Sequence, residues 1–168
     1  MASSTARTRD ASCATCASGS RTGRATAANQ RIVPFLGYED AAAAIDWLCA
    51  AFGATERAEA RQTGPDGTIG HAELGFGDGA SVFLSTPSPQ YEGPRRHREH
   101  CEAARRWQDN PWVIDGLFVE VEDVHAHHAR AQAHGAAILR EPEDVGVGFT
   151  LYTAEDIEGH RWMFGQRL

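Results

Sequence analysis

His71-Ala72-Glu73 puts an imidazole and a carboxylate two residues apart, and on an extended strand that spacing sets both side chains on one face. Such a pair can exchange a proton as general acid and base, or supply half of a metal site. The plainer alternative is a salt bridge that only holds sheets together. His125, His127, His128 and His134 crowd a second stretch, while His97 and His100 lie three apart beside Arg95, Arg96 and Arg98. If the first group is helical, Val124, His128 and Ala131 fall on the stripe that packs on a sheet, so the expectation is a partly buried His128 with the others solvated. The second group would either cap a cleft and attract an anion or form an ordinary solvated face. Cys13-Ala-Thr-Cys16 has the spacing of half a zinc site or a redox pair, but no second pair accompanies it, and incidental cysteines are expected.

The elements that must position these residues show in the apolar pattern. A short apolar run over residues 31–38 predicts a strand, and Asp40 then caps a helix over 41–52, in which Ile45, Leu48 and Phe52 recur at helical spacing and Gly53 gives the stop. Strands are expected over 57–63, 68–76 and 80–85, separated by the turn sequences Pro65-Asp66-Gly67 and Gly77-Asp78-Gly79. The programme then repeats, with a strand over 117–121, a helix over 124–134 closed by Gly135, and strands over 136–140, 149–153 and 161–166. Asp40 to Asp123 is an offset of 83 residues and Gly53 to Gly135 one of 82, so one βαβββ unit is duplicated.

Around the two units lie a leader and an insert. Residues 1–29 are Ala, Ser, Thr, Arg and Gly with almost no large apolar side chain, too little to offset the entropy of ordering. They are expected to be disordered, with a transit-peptide-like start or a true start further in as the alternatives. The remainder, 30–168, divides into a first module at 30–86, an insert at 87–115 and a second module at 116–168. The insert is dense in Arg, His and Glu over 94–107, where a short helix can begin at Pro94. With Tyr91, Trp107 and Trp112 beside it, the insert suits a mobile aromatic lid or a linker.

At 168 residues the chain can bury one sizeable core. Its net charge of −7 gives no basic footprint for a phosphate backbone, so nucleic acid is not an expected partner. All 16 basic residues are Arg, and the lack of Lys excludes Schiff-base chemistry, lysine-anchored pyridoxal phosphate and a phosphate-loop lysine. No apolar stretch nears the roughly 18 to 20 residues of a bilayer span. A soluble, cytoplasmic protein without membrane contact is expected.

Two tandem βαβββ units, the strand-to-helix junctions Tyr38-Glu39-Asp40 and Val121-Glu122-Asp123, and Glu155-Asp156-Ile157-Glu158-Gly159 before the last strand resemble the vicinal-oxygen-chelate superfamily. This group holds glyoxalases, extradiol dioxygenases and bleomycin-resistance proteins, and the likeness is to the bleomycin-resistance branch. The resemblance implies an α+β fold in which curved mixed sheets surround a U-shaped cleft. Metal-bearing members place one ligand from each of four strands there, and the corresponding positions fall on Val33, Glu73, Leu117 or its neighbour, and Met163. Of these, only Glu73 suits the hard divalent ions the superfamily uses. By period two, Phe35, His71, Val119 and Arg161 are then expected to face inward too.

The expected function is therefore a metal-free binding protein that sequesters or acts on a small organic or antibiotic-like ligand. Phe35, Val33, Leu117, Val119, Arg161, Met163 and Trp112 are its expected ligand contacts, Glu73 and His71 its polar or catalytic pair, and a homodimer its expected assembly. The alternative is a lyase, isomerase or dioxygenase that uses Glu73 and His71 as acid and base or as ligands of a divalent metal. A third reading is a protein-interaction module centred on the insert.

Overall fold

The computed structural model describes residues 32–77, 79–108 and 116–168. The leader, Cys13 and Cys16, Asp78 of the second turn and Trp112 lie outside the described residues. In the first module β1 (Phe35–Gly37) leads into α1 (Ala41–Phe52), where the Asp40 side chain accepts from the Ala43 amide at 3.0 Å. Gly53 closes α1 in the left-handed conformation at φ 70°. Then come β2 (Thr55–Glu56), β3 (Gln62–Thr63), β4 (Ile69–Phe76) and β5 (Ala80–Ser85), in a sheet ordered β1-β5-β4-β2 with β3 also on β4. The second module repeats this with β6 (Leu117–Glu120), α4 (Val124–Ala133), β7 (Ala137–Asp144), β8 (Phe149–Glu155) and β9 (Arg161–Arg167), ordered β6-β9-β8-β7. Between them the insert carries α2 (Pro94–His100) and α3 (Glu102–Gln108). Both sheets are mixed, curved and open, the α+β arrangement that the repeated pattern implies. Among the described residues no helix is long and apolar enough to cross a membrane.

Three local expectations are corrected. Residues 57–63 do not form one strand: a short 3-10 turn at Ala58–Ala60 splits it, and Arg61 grips Glu56 through two hydrogen bonds of 2.6 and 2.8 Å across the break. The stretch has no apolar alternation that a sheet face could bury, so a local ion pair decides its course. The insert helix is broken at Cys101, whose φ of −111° and ψ of 106° are extended, not helical. The second module's edge strand β7 runs on to Asp144, with register shifts between Ile138 and Glu143 that accommodate Pro142.

The modules meet through one continuous core. Phe52, at the end of α1, packs at 4.7 Å from the Phe164 ring and 5.5 Å from Trp162. Its carbonyl accepts from His127 Nε2 at 3.0 Å, while His127 Nδ1 accepts from the Tyr152 hydroxyl at 2.7 Å. Arg130 reaches back to the Ala51 carbonyl at 3.2 Å, and its guanidinium lies so close over Gly53 that a β-carbon there would sit 2.5 Å from Nη2. Gly135, the counterpart of Gly53 in the second module, has φ 82° and no atom within 4 Å of such a carbon.

His128 is partly buried as expected, but its neighbour His127, expected to be solvated, is the buried histidine of α4 at 8% exposure. His128 lies at the sheet edge with Nε2 3.1 Å from the exposed Glu141 carboxylate. Val124, His127 and Ala131 are the buried positions, a stripe of spacing three and four, and both His127 nitrogens find buried partners. Burial pushes the His127 pKa down from 6.5 to about 4. The unfolded chain therefore takes up a proton near pH 6.5 that the folded chain refuses until about pH 4. The stabilising contribution is complete above the first value and is lost as pH falls through that window. We expect urea midpoints to drop by an amount equivalent to about 1–2 kcal/mol over that window, and His127→Gln to flatten this part of the profile. An unchanged slope in the variant would assign the effect to another group.

Candidate functional site

Each sheet has one face under the helices and one turned away from them. In the first module β1 runs parallel to β5 with Phe35 beside Phe83, and β4 runs antiparallel with Glu73 beside Phe83. Phe35, Phe83, Glu73 and His71 therefore share the outer face, while Leu36, Leu84, Ala72 and Leu74 share the helix-covered one. On the outer face His71 sets its ring edge-on to Phe83 at 4.9 Å and its Nε2 3.5 Å from Glu73 Oε1. Arg57 holds the other Glu73 oxygen at 3.3 Å. The structure thus brings His71 and Glu73 together, and it adds Arg57, which sequence spacing did not single out.

In the second module the expected inward positions on β6 are corrected. Leu117 is in register with Trp162 and Val119 with Phe164, so both lie on the helix-covered face and pack against the core. Phe118 is in register with Met163, touches Phe149 ring to ring at 5.2 Å, and turns outward. A one-residue slip accounts for the difference, because neighbouring strand residues face opposite ways. The signal that would have found Phe118 is the duplication: Phe35 plus the 83-residue offset is Phe118. Counting seven back from Asp40 gives Val33, and the same count from Asp123 gives Gly116, not Leu117.

The four positions at which the resemblance would put metal ligands are therefore Val33, Glu73, Gly116 and Met163. Two have no side-chain donor, one is a thioether, and the carboxylate of the fourth is shared between Arg57 and His71. These residues do not fit a hard divalent ion held by four strands. Beside that charged group the outer faces carry exposed aromatics: Phe35 is 57% exposed and Phe118 46%, at equivalent places in the two modules.

Arg161 is not free to bind a ligand carboxylate in the way expected of it. It sits opposite Glu155 on the antiparallel β8–β9 pair, its side chain 9% exposed, with Nε 3.8 Å from Glu155 Oε1. Glu155 is itself buried at 2% and is held at 2.7 Å by Arg98 from α2. Arg98 is a largely buried clamp, whereas Arg95 and Arg96 stay on an exposed face, as the solvated-face alternative expects, and still make contacts across it. Arg95 donates to the Asp156 carbonyl at 2.8 Å and Arg96 reaches Glu39 at 2.8 Å, a contact that lowers the Glu39 pKa. Beside them lies a hollow of about 480 Å³ bounded by Arg95, Arg98, Arg105 and the start of β7. Tyr91 packs against Gly37, where a β-carbon would come within 2.9 Å of its ring. Trp112 lies outside the described residues, so its part in a lid is not assigned.

One buried carboxylate ties these parts together. Asp156, fully buried, accepts from the Tyr38 hydroxyl at 2.7 Å and from Trp162 Nε1 at 3.0 Å with one oxygen. Its other oxygen takes the amides of Glu158, Gly159 and His160 at 2.9 to 3.0 Å. Burial, and then the negative charge of Asp156, hold the Tyr38 pKa well above its ordinary value, so its hydroxyl stays a donor. Glu158 in the same turn accepts from the Glu39 and Asp40 amides at 2.7 and 3.0 Å.

With this geometry in hand, comparison with known proteins gives consistent matches. A family model described as the Glyoxalase/Bleomycin resistance protein/Dioxygenase superfamily matches residues 31–164. An uncharacterized protein of Mycobacterium tuberculosis H37Rv is 33% identical over 137 residues, 79% of this chain and 72% of that protein. Among solved structures, TioX from Micromonospora sp. ML1 is 30% identical with a TM-score of 0.59, over 83% of this chain and 97% of TioX. TnmS3, an antibiotic binding protein from Streptomyces sp. CB03234, is 20% identical with a TM-score of 0.53, over 82% of this chain and 96% of its own. At that identity the likeness to TnmS3 is one of fold.

Proposed function

The chain belongs to the Glyoxalase/Bleomycin resistance protein/Dioxygenase superfamily, and from that premise we propose that it binds a small, largely apolar organic molecule of antibiotic-like type without a metal. The carrying observation is the pair Phe35 and Phe118, aromatic, exposed and equivalent under the duplication. Exposed aromatics on an open sheet face are what a ligand with a flat apolar body needs, and Met163 beside Phe118 adds an adaptable surface. His71 and Glu73, steadied by Arg57, supply the polar contacts that orient the ligand. A second copy of the chain would cover the two exposed aromatic faces, which supports a homodimer as the working assembly.

The test is displacement of a fluorescent apolar dye by a panel of aromatic antibiotics. Burying one phenylalanine contributes about 1.5–3 kcal/mol, so Phe35→Asp or Phe118→Asp should weaken binding about tenfold to a hundredfold. Leu117→Asp should instead damage the fold, because that side chain lies on the core. Equal affinities in wild type and both Phe variants would remove the proposal.

The enzyme reading rests on His71 and Glu73, 3.5 Å apart, as acid and base. For a lyase or dioxygenase, whose product differs in mass from its substrate, it separates from simple sequestration by mass spectrometry of the bound molecule after incubation. A changed mass that is lost in both His71→Gln and Glu73→Gln would establish it; recovery of the ligand unchanged favours binding alone.

A further inference from the structure

We propose that Glu92, His97 and His100 form a site for a divalent transition-metal ion on the outer side of the insert, separate from the sheet faces. Glu92 Oε2 lies 3.0 Å from His100 Nε2 and 3.6 Å from His97 Nδ1, and one donor atom from each of the three falls within 4.8 Å of the others. Ligands about 2.0–2.1 Å from a tetrahedral zinc ion stand about 3.3 Å apart, so these donors need only small movements to close around an ion. Two imidazoles and one carboxylate suit Zn²⁺, Ni²⁺, Co²⁺ or Cu²⁺ better than Mg²⁺ or Ca²⁺.

The backbone beneath the three groups is already fixed. His97 and His100 are one turn apart on α2, with ring centroids 5.5 Å apart, and the His97 amide donates to the Gly93 carbonyl at 2.9 Å. The Gly93 amide is held by Glu39 at 2.9 Å, and the Arg95 amide by the Glu158 carbonyl at 2.8 Å. Glu92 therefore approaches from outside the helix, across a turn that cannot drift far. The side chains are 35% exposed for Glu92, 52% for His97 and 57% for His100, so an ion held there keeps positions open to water or to a further ligand. Its physical effect is to staple the loop before α2 to the helix whose Arg98 holds Glu155. The competing account is an ion pair between protonated imidazoles and Glu92, which needs no metal.

The experiment is calorimetric titration of chelator-stripped full-length protein with Zn²⁺, Ni²⁺ and Mg²⁺, in a Cys13→Ser, Cys16→Ser background that removes the other metal-like spacing. Expected are one Zn²⁺ or Ni²⁺ per chain at micromolar affinity and no response to Mg²⁺. Outer-shell changes alone typically weaken metal sites about 10–100-fold. His97→Gln, His100→Gln and Glu92→Gln, each loss of a direct ligand, should therefore lower affinity by about 100-fold or more, while Glu73→Gln and His125→Gln leave it unchanged. Cobalt should give visible ligand-field bands without a sulfur charge-transfer band, which excludes Cys101 as a donor. Binding only at millimolar metal, a sulfur band, or affinities indifferent to all three variants would overturn the proposal. Far-UV circular dichroism on each variant checks that α2 persists; a lost helical signal transfers the test to His97→Ala and His100→Ala, which favour the helix more strongly.

Discussion

Asp156→Ala is expected to cost about 4 kcal/mol of stability, a large fraction of the about 5–15 kcal/mol that holds an ordinary domain folded. The carboxylate is fully buried and satisfies five donors, of which the Tyr38 hydroxyl comes from the other module and Trp162 Nε1 from the core. Removing it strands two buried side-chain donors at about 1–3 kcal/mol each, and loosens the three amides that shape the turn before β9. Tyr38→Phe deletes only one of these donors and should cost about 1 kcal/mol. Urea denaturation of the two variants decides the matter. An Asp156→Ala loss no greater than that of Tyr38→Phe would mean that the carboxylate is not the joint between the modules.

Arg98→Ala is the second change with a large expected effect, about 3 kcal/mol. Glu155 is 2% exposed, and among the described residues the other cation beside it is Arg161, at 3.8 Å. An under-compensated buried carboxylate is costly, and α2 loses the contact that seats it on the second module. Limited proteolysis should then cut within the insert while the rest of the domain persists. Because the cost lies in the stranded charge, adding Glu155→Gln to Arg98→Ala should recover about half of the loss. A double variant whose losses simply add would show that packing of the arginine stem, not charge, holds the insert.

The sequence revealed the frame because the frame is built from local rules. Asp40 and Asp123 cap helices, Gly53 and Gly135 end them, and the offset of 83 residues made the duplication visible. The pairing of His71 with Glu73 needed only the two-residue period of a strand. What could not be seen were contacts between elements far apart in the chain. Nothing local marks Arg98 as the partner of Glu155, Arg96 as that of Glu39, or Tyr38 as a donor to Asp156. His127 was missed for a related reason: spacing admits either neighbour to the buried stripe, and the acceptor that decides is the Phe52 carbonyl, 75 residues away. Leu117 was misplaced because a single-residue error on a four-residue strand inverts every side chain.

The two stop glycines, alike in sequence, carry unequal burdens. At Gly135 the left-handed backbone is the sole demand, and an asparagine, which tolerates that conformation, fits the open space. At Gly53 the Arg130 guanidinium also lies 2.5 Å from where a β-carbon would begin, so a larger residue must meet the dihedral demand and push aside the end of an arginine that now reaches the Ala51 carbonyl. After duplication the copies were therefore not equally free to drift: a change at the first module's stop must also displace the second module's arginine, whereas the second module's own stop can be relearned.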